Sequence, residues 1–68
     1  MEKNNYVPTD KWIKVITKNI YDTLPVGMRA QVFTTTDHKG NPVEWFKDSH
    51  SNWILLKGHL NSGVIEYE

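Results

Sequence analysis

A loop punctuated by proline and glycine separates two segments that favour β-strands. The loop, residues 21–27, reads YDTLPVG, and the segments beside it are residues 11–17 and 28–34. Both segments are rich in the β-branched and aromatic side chains that pack well on a pleated sheet. Two strands joined by a long, partly apolar loop are typical of a small β-barrel. The sequence therefore predicts an all-β fold.

The length of the chain and its lack of cysteine bear on how the core is built. With 68 residues and no cysteine, the chain has no disulfide or thiolate-bound metal to staple it. A chain of this size forms one domain and buries only about 60% of the surface that its unfolded form exposes. We predict a flexible N-terminal arm over residues 1–10 and one barrel domain over residues 11–68. We expect most of the aromatic residues in and beside the strands to serve the core; the seven residues of this set are Trp12, Tyr21, Phe33, Trp45, Phe46, Trp53 and Tyr67.

Residues 9–24 admit a second interpretation, as a helix. Their apolar side chains also recur at helical spacing, and Thr9 or Asp10 could cap such a helix. The β-branched side chains and the turn-forming residues of the same stretch favour a strand followed by a loop. Periodicity alone leaves both open, and we prefer the strand. The helical stripe would consist of Trp12, Val15, Ile16, Ile20 and Leu24.

The remainder of the chain predicts four more strands, the last of which should return to pair near the first. Five short strands suggest a closed or partly closed barrel, because closure removes exposed sheet edges. The strands are predicted over residues 28–35, 43–46, 53–56 and 63–67, the polar loops over residues 36–42 and 47–52, and a single helical turn over residues 57–60.

The order of these elements resembles the SH3-like barrel. The resemblance covers residues 11–67 and implies a five-stranded barrel with a long RT-type loop and one 3₁₀ turn before the last strand. The stretches IKV, NIYDTLPVG and WILL, which begin at residues 13, 19 and 53, look like those of small SH3-like proteins of phages and prophages. That resemblance implies a fold and a genomic setting, without a reaction.

The chain also resembles, more distantly, the KOW-type barrel. It departs from the KOW pattern at Ala30, where a second glycine is common, and at residues 8–10, where an early Gly-Asp turn would begin. Both departures count against an RNA-associated or ribosome-associated role.

Peptide-binding SH3 domains offer a third comparison. Their groove uses an aromatic of the RT loop, a tryptophan after the n-Src loop and an aromatic of the 3₁₀ turn. Tyr21 and Trp45 match the first two positions, whereas the third is His59 or Leu60, so a polyproline groove would be incomplete. We expect one exposed Tyr or Trp to anchor a protein partner, because these residues dominate interface energetics. The residues predicted to bind that partner are Tyr21, Leu24, Pro25, Trp45 and His59.

Charge offers an alternative, a nucleic-acid-binding accessory barrel. The formal net charge is zero, whereas domains that bind nucleic acid usually show a basic excess or stripe. A local basic patch can still exist beneath a neutral total. Its predicted residues are Lys11, Lys14, Lys18 and Arg29.

The sequence carries no signature of catalysis, metal binding or cofactor binding. The three histidines, His38, His50 and His59, lie in different predicted loops without the short spacing of metal ligands. No serine is placed by a local pattern against a base, the carboxylates are dispersed, and the glycines are isolated. We therefore predict no metal, no cofactor and no enzymatic activity.

These observations lead to one functional hypothesis and two alternatives. The first is a small interaction module, encoded by a phage or prophage, that binds or modulates a protein partner. The alternatives are the nucleic-acid-binding barrel and a virion or assembly component. No segment reaches the roughly 20 apolar residues needed to cross a bilayer, and the N-terminus lacks the apolar region of a secretion signal. We expect a cytoplasmic protein without a membrane partner.

Overall fold

Five antiparallel strands curl into a half-barrel, which is consistent with an SH3-like fold. The computed structural model describes residues 5–68. The prediction of an all-β fold is confirmed, and the last strand does pair with the first. In sheet order the strands are β4-β3-β2-β1-β5. The elements are β1 (Val7–Val15), β2 (Arg29–Thr36), β3 (Pro42–Lys47), β4 (Trp53–Leu55), helix α1 (Leu56–Asn61) and β5 (Ile65–Tyr67).

The core lies on the concave face of the half-barrel. Because side chains alternate between the two faces of a strand, Ile13 and Val15 point inward from β1 and are fully buried. Phe46 of β3 is also fully buried, and it lies opposite Ile54 of β4 in the register. Leu56 of α1 is also buried in this core. The buried apolar residues are Ile13, Val15, Leu24, Ala30, Val32, Phe46, Leu56 and Ile65.

The first strand begins at Val7 instead of at residue 11 and ends at Val15 instead of at residue 17. Its start pairs with β2 through Val7 and Thr34, and a bulge follows between Pro8 and Trp12. Thr9 stabilises the bulge, because its hydroxyl donates a hydrogen bond of 2.7 Å to the carbonyl of Val32. Residues 7–10 of the predicted arm thus form part of the sheet, whereas residues 1–4 lie outside the described residues. The helical interpretation of residues 9–24 is wrong, since they form a strand and a loop.

The helical turn before the last strand is a short α-helix, and it replaces the 3₁₀ turn that the SH3-like resemblance implied. The N–H of Ser62 donates to the carbonyl of Gly58 four residues earlier, which is the α-helical pattern. The helix ends in a Schellman motif, in which Gly63 and Val64 donate to the carbonyls of Leu60 and His59. Gly63 has a φ of 80°, the left-handed conformation that this motif requires.

The hairpin loop between β2 and β3 is organised by Asp37. One oxygen of this carboxylate accepts hydrogen bonds from the N–H groups of Lys39 at 2.9 Å and Asn41 at 2.8 Å. Gly40 takes the left-handed position of the loop, with a φ of 86°. Asp37 therefore stabilises the turn, because an aspartate side chain can accept hydrogen bonds from backbone N–H groups that follow it in the chain.

The loop between β3 and β4 repeats this design with Asp48. Its carboxylate accepts hydrogen bonds of 2.9 Å from the N–H groups of His50 and Asn52. Burial raises the pKa of Asp48, but the hydrogen bonds from Asn52, His50 and Thr23 outweigh burial and hold the pKa below its ordinary value. Ser51 takes the left-handed position, with a φ of 65°, although it carries a side chain.

Candidate functional site

The connection between β1 and β2, residues 16–28, is the longest segment of the described chain without a regular element. We call it the β1–β2 loop. The side chain of Asn19 organises its first half: the carbonyl oxygen accepts a hydrogen bond from the N–H of Tyr21 at 2.8 Å, and the amide donates to the carbonyl of Leu24 at 3.0 Å. Thr23 joins the loop to the β3–β4 hairpin, because its carbonyl accepts a hydrogen bond from the N–H of Ser49. The loop is therefore held in place at several points.

A tight turn closes the second half of the loop. The N–H of Met28 donates to the carbonyl of Pro25 at 3.1 Å, and Gly27 has a φ of 96°. A type II turn needs a residue with positive φ at this place, and glycine supplies it without strain. The N–H of Gly27 also donates to the carbonyl of Val15 at 2.8 Å, so the turn returns the chain directly to the sheet.

The loop exposes apolar side chains. Ile20 is 90% exposed, Val26 57% and Tyr21 49%. Together with Ile16, these residues make up half of the large hydrophobic side chains that are exposed in the described part of the chain. Leu24 is the exception, since it is only 2% exposed and packs in the core. Leu24 anchors the loop from within while its neighbours face outward.

Two of the residues predicted to bind a partner meet beside this loop. The rings of Tyr21 and His59 lie 5.4 Å apart between centroids, at a tilt of 52°. His59 in turn contacts the buried ring of Phe46 at 6.0 Å in an edge-on arrangement, and its Nδ1 lies 3.2 Å from the carbonyl oxygen of Leu55. The contact extends the surface of the loop onto helix α1. Pro25 is exposed in the turn at the other end of the loop.

Trp45 lies elsewhere, on the convex face of the sheet. Its side chain points away from the core, because the next residue, Phe46, is buried and successive side chains of a strand point to opposite faces. Trp45 lies opposite Phe33 of β2 in the register. Tyr6 packs edge-on against Trp45 at 5.9 Å, and the indole nitrogen of Trp45 is buried without a hydrogen-bond partner among residues 5–68. The structure therefore does not bring Trp45 to the surface that Tyr21 and His59 share.

The aromatic cluster around Trp45 was missed by sequence reasoning. Tyr6 stacks on Trp53 at 3.8 Å, with ring planes only 13° apart, and Phe33 meets Trp53 edge-on at 5.1 Å. The ammonium group of Lys47 lies 5.0 Å from the centre of the Trp53 ring. The alternation of buried and outward residues could have placed Phe33 and Trp45 on one face. No signal in the sequence joins Tyr6 to them, because its contacts depend on where the first strand begins.

Two of the four predicted nucleic-acid-binding residues, Lys11 and Arg29, are ion-paired with carboxylates. Arg29 makes two hydrogen bonds to Glu68, at 2.6 and 2.8 Å, and this pairing raises the pKa of Arg29 and lowers the pKa of Glu68. Lys11 lies 3.5 Å from Glu44. Lys14 faces Glu66 across the β1–β5 ladder, and its charge also favours the ionised form of Glu68, lowering the pKa of that carboxyl.

Lys18 makes no ion pair within the part of the chain that the structure describes, and in this it is like Lys14 and differs from Lys11 and Arg29. It lies in the β1–β2 loop. The four cations therefore do not form one open basic patch.

The described residues hold no group of three or more histidine, cysteine, aspartate or glutamate side chains that could bind a metal ion. The three histidines serve three separate elements. His38 and His50 lie in the two hairpin loops, and His59 lies in helix α1. Between residues 5 and 68 there is no helix long and apolar enough to span a membrane.

Comparison of the chain with protein-family models, curated proteins and solved structures gave no match. Any functional conclusion therefore depends on the geometry described above.

Proposed function

We propose that the protein is a small, non-enzymatic module that binds a protein partner through the β1–β2 loop. The observation that carries the proposal is Ile20, whose side chain is 90% exposed on a loop held by hydrogen bonds at both ends. An apolar side chain that projects into water gains about 25 cal/mol for each Å² that a partner covers.

The order within the loop favours binding. A segment that is already held in its bound conformation loses less entropy when a partner docks. The bonds of Asn19 and the turn at Gly27 restrain the backbone on both sides of Tyr21 and Val26. The Ile20 side chain is therefore positioned to insert into an apolar pocket on the partner.

The proposed surface includes the neighbouring part of helix α1. A stable interface buries about 800 Å² on each partner, which is more than a few side chains of one loop supply. The contact between Tyr21 and His59 makes the loop and the helix one continuous surface. Of the residues predicted from sequence, Tyr21, Pro25 and His59 belong to this surface, Leu24 supports it from the core, and Trp45 lies on the other face.

The genomic setting and the cell compartment remain predictions. The resemblance to small SH3-like proteins of phages and prophages suggests that the partner is a protein of a bacterial host or of a phage. We accordingly propose that the module works in the cytoplasm.

Photo-crosslinking tests the proposal. A photoreactive amino acid at position 20 should capture a discrete protein in a bacterial lysate, and the capture should survive treatment with nuclease. The same group at position 7 is the matched control, because Val7 is 53% exposed but lies outside the loop.

An untagged competitor makes the result specific. Unlabelled protein should abolish the capture, whereas competitor with Ile20→Ser or Tyr21→Ala should fail to do so. Equal capture from positions 7 and 20, or full competition by both variants, would contradict the proposed surface. A product that disappears with nuclease would favour the nucleic-acid alternative, and self-capture alone would favour an assembly component.

A further inference from the structure

Strands β3 and β4 differ in length, and the difference leaves part of β3 without a neighbour. β3 runs from Pro42 to Lys47, but only Trp45–Lys47 pairs with β4. The chain turns into helix α1 at Leu56, directly after the last paired residue. Residues 42–44 therefore pair with β2 on one side only.

The open side of residues 42–44 carries backbone groups that can pair. Their only backbone hydrogen bonds in the described chain belong to the ladder with β2. In an antiparallel sheet, alternate residues direct their N–H and C=O groups to opposite neighbours. Some of these groups on β3 thus face the open edge, and an extended chain is the partner that satisfies them.

A groove lies along this edge, between β3 and α1. It has a volume of about 330 Å³, and its apolar lining comes from Val43 together with three leucines. Leu56 is fully buried and Leu60 partly buried beside it, whereas Leu55 is 44% exposed. A groove with these walls accepts an aliphatic side chain.

The charge beside the groove is positive. Glu44 lines it, but the Glu44 carboxylate accepts a hydrogen bond from Tyr67 at 2.7 Å and lies 3.5 Å from Lys11. Lys57 lines the opposite wall, is exposed, and makes no ion pair among residues 5–68. The ammonium group of Lys57 is therefore available to a carboxylate of a ligand.

We propose that this edge binds an extended segment of a partner protein that carries aliphatic and acidic residues. The segment adds a strand to β3, places an aliphatic side chain in the groove and sets a carboxylate against Lys57. Strand addition of this kind takes its affinity from main-chain hydrogen bonds and its specificity from side-chain pockets. Alternation directs the N–H and C=O of Val43 to β2 and leaves the N–H and C=O of Glu44 and the C=O of Pro42 at the open edge. Because Pro42 has no N–H to donate, the paired segment is short.

Two capped pentapeptides test the proposal on the full chain. The first has the sequence Thr-Val-Asp-Val-Thr, and in the second a lysine replaces the aspartate. Titration of the acidic peptide into labelled protein should shift the amide resonances of Val43, Glu44 and Lys57 in nuclear magnetic resonance spectra. The amides of the β1–β2 loop should not shift, which separates this site from the surface proposed above.

A charge swap provides the control. Lys57→Glu should weaken binding of the acidic peptide about fivefold, because the attraction between an exposed ammonium group and the aspartate becomes a repulsion. The same variant should bind the lysine peptide more tightly than the original protein does. Lys18→Glu makes the same charge change away from the groove and should leave both affinities unchanged. The proposal would be overturned if the acidic peptide caused no shifts at the highest concentration used, if the shifts were confined to other residues, or if the two variants had equal effects.

Discussion

The hydroxyl of Tyr67 donates a hydrogen bond of 2.7 Å to the carboxylate of Glu44. This bond joins β5 to β3, although β1 and β2 lie between them in the sheet. It spans the concave side of the half-barrel, and the ammonium of Lys11 lies 5.5 Å from the Tyr67 ring centre and 3.5 Å from the Glu44 carboxylate. The two strands are thus linked by side chains where no backbone ladder connects them.

Titration of Tyr67 should report on this link. Burial, together with the hydrogen bond and charge of Glu44, raises the pKa of Tyr67 to about 12. Because the folded pKa lies above the ordinary value of 10.0, the stabilisation is complete below pH 10 and is lost as the pH rises through 12. We expect the tyrosinate absorbance of Tyr67, obtained by difference from Tyr67→Phe, to appear only near pH 12.

Glu44→Gln provides the comparison for this titration. The amide keeps an acceptor for the Tyr67 hydroxyl but removes the negative charge, so the pKa of Tyr67 should fall towards its ordinary value. An unchanged titration in Glu44→Gln would contradict the role of the carboxylate.

Ser51 should gain stability on replacement by glycine. Its φ of 65° lies in the left-handed region, where a residue with a side chain costs about 1 kcal/mol relative to glycine. Urea denaturation of Ser51→Gly should show a free energy of unfolding higher by up to about 1 kcal/mol. The reciprocal change, Gly40→Ser in the matching loop, should lower it by a similar amount, although no atom lies within 4 Å of an added Cβ. Equal stability of both variants and the original protein would refute this account.

Truncating Leu24 and truncating Ile20, two residues of the β1–β2 loop, should have different effects on the free energy of unfolding. Leu24 is buried and Ile20 is 90% exposed, so Leu24→Ala should cost about 2–4 kcal/mol of unfolding free energy and Ile20→Ala less than about 0.5 kcal/mol. Thermal and urea denaturation measure both. If Leu24→Ala does not fold, Leu24→Val should still be less stable than Ile20→Val, and the reverse order would be inconsistent with the packing of the loop.

Tyr6 should contribute to stability despite its place before the first strand. Its stack on Trp53 at 3.8 Å and its edge-on contact with Trp45 are each worth about 0.5–1.5 kcal/mol. Tyr6→Ala should therefore lower the free energy of unfolding by about 1–2 kcal/mol and change the tryptophan fluorescence. Val7→Ala, at an exposed neighbouring position, serves as the control with an effect below about 0.5 kcal/mol.

Acid should weaken the β3–β4 loop through Asp48. Its pKa lies below the ordinary value of 3.8 in the folded protein, so its stabilisation is present above pH 3.8 and is lost as the pH falls through the folded value. The melting temperature of Asp48→Asn should consequently depend less on pH in this acid range than that of the original protein. Glu68→Gln removes a second carboxyl whose pKa is lowered. The melting temperature of the double variant should therefore depend on pH even less than that of Asp48→Asn. A parallel pH dependence in Asp48→Asn would show that Asp48 does not contribute.

Local sequence predicted much of the sheet. The alternation in residues 28–35 placed Ala30 and Val32 on one face, and both are buried. Asp37 and Asp48 lie in the polar loops predicted over residues 36–42 and 47–52, and their carboxylates bind the backbone of these two hairpin loops. These features depend on neighbouring residues alone, which is why a single sequence is sufficient to predict them.

The helix before β5 shows where local prediction stopped. A turn was expected over residues 57–60, and the α-helix runs from Leu56 to Asn61. Leu56 was predicted in the fourth strand but is the first residue of α1, and its side chain packs in the core, where it is only 1% exposed. Strand and helix propensities could not predict this position of Leu56, since it depends on the packing of α1 against β3 and β5.

By itself, the sequence determined the strand-rich composition, the alternation that divides inward from outward residues, and the turn chemistry at aspartate and glycine. Only the tertiary structure decided that Leu24 anchors a loop whose neighbours are exposed, that Tyr6 covers Trp53, and that Glu44 meets Tyr67 across two intervening strands. The reason is physical: alternation and turns follow from bonds between near neighbours, whereas these contacts depend on strand register and on the curvature of the whole sheet.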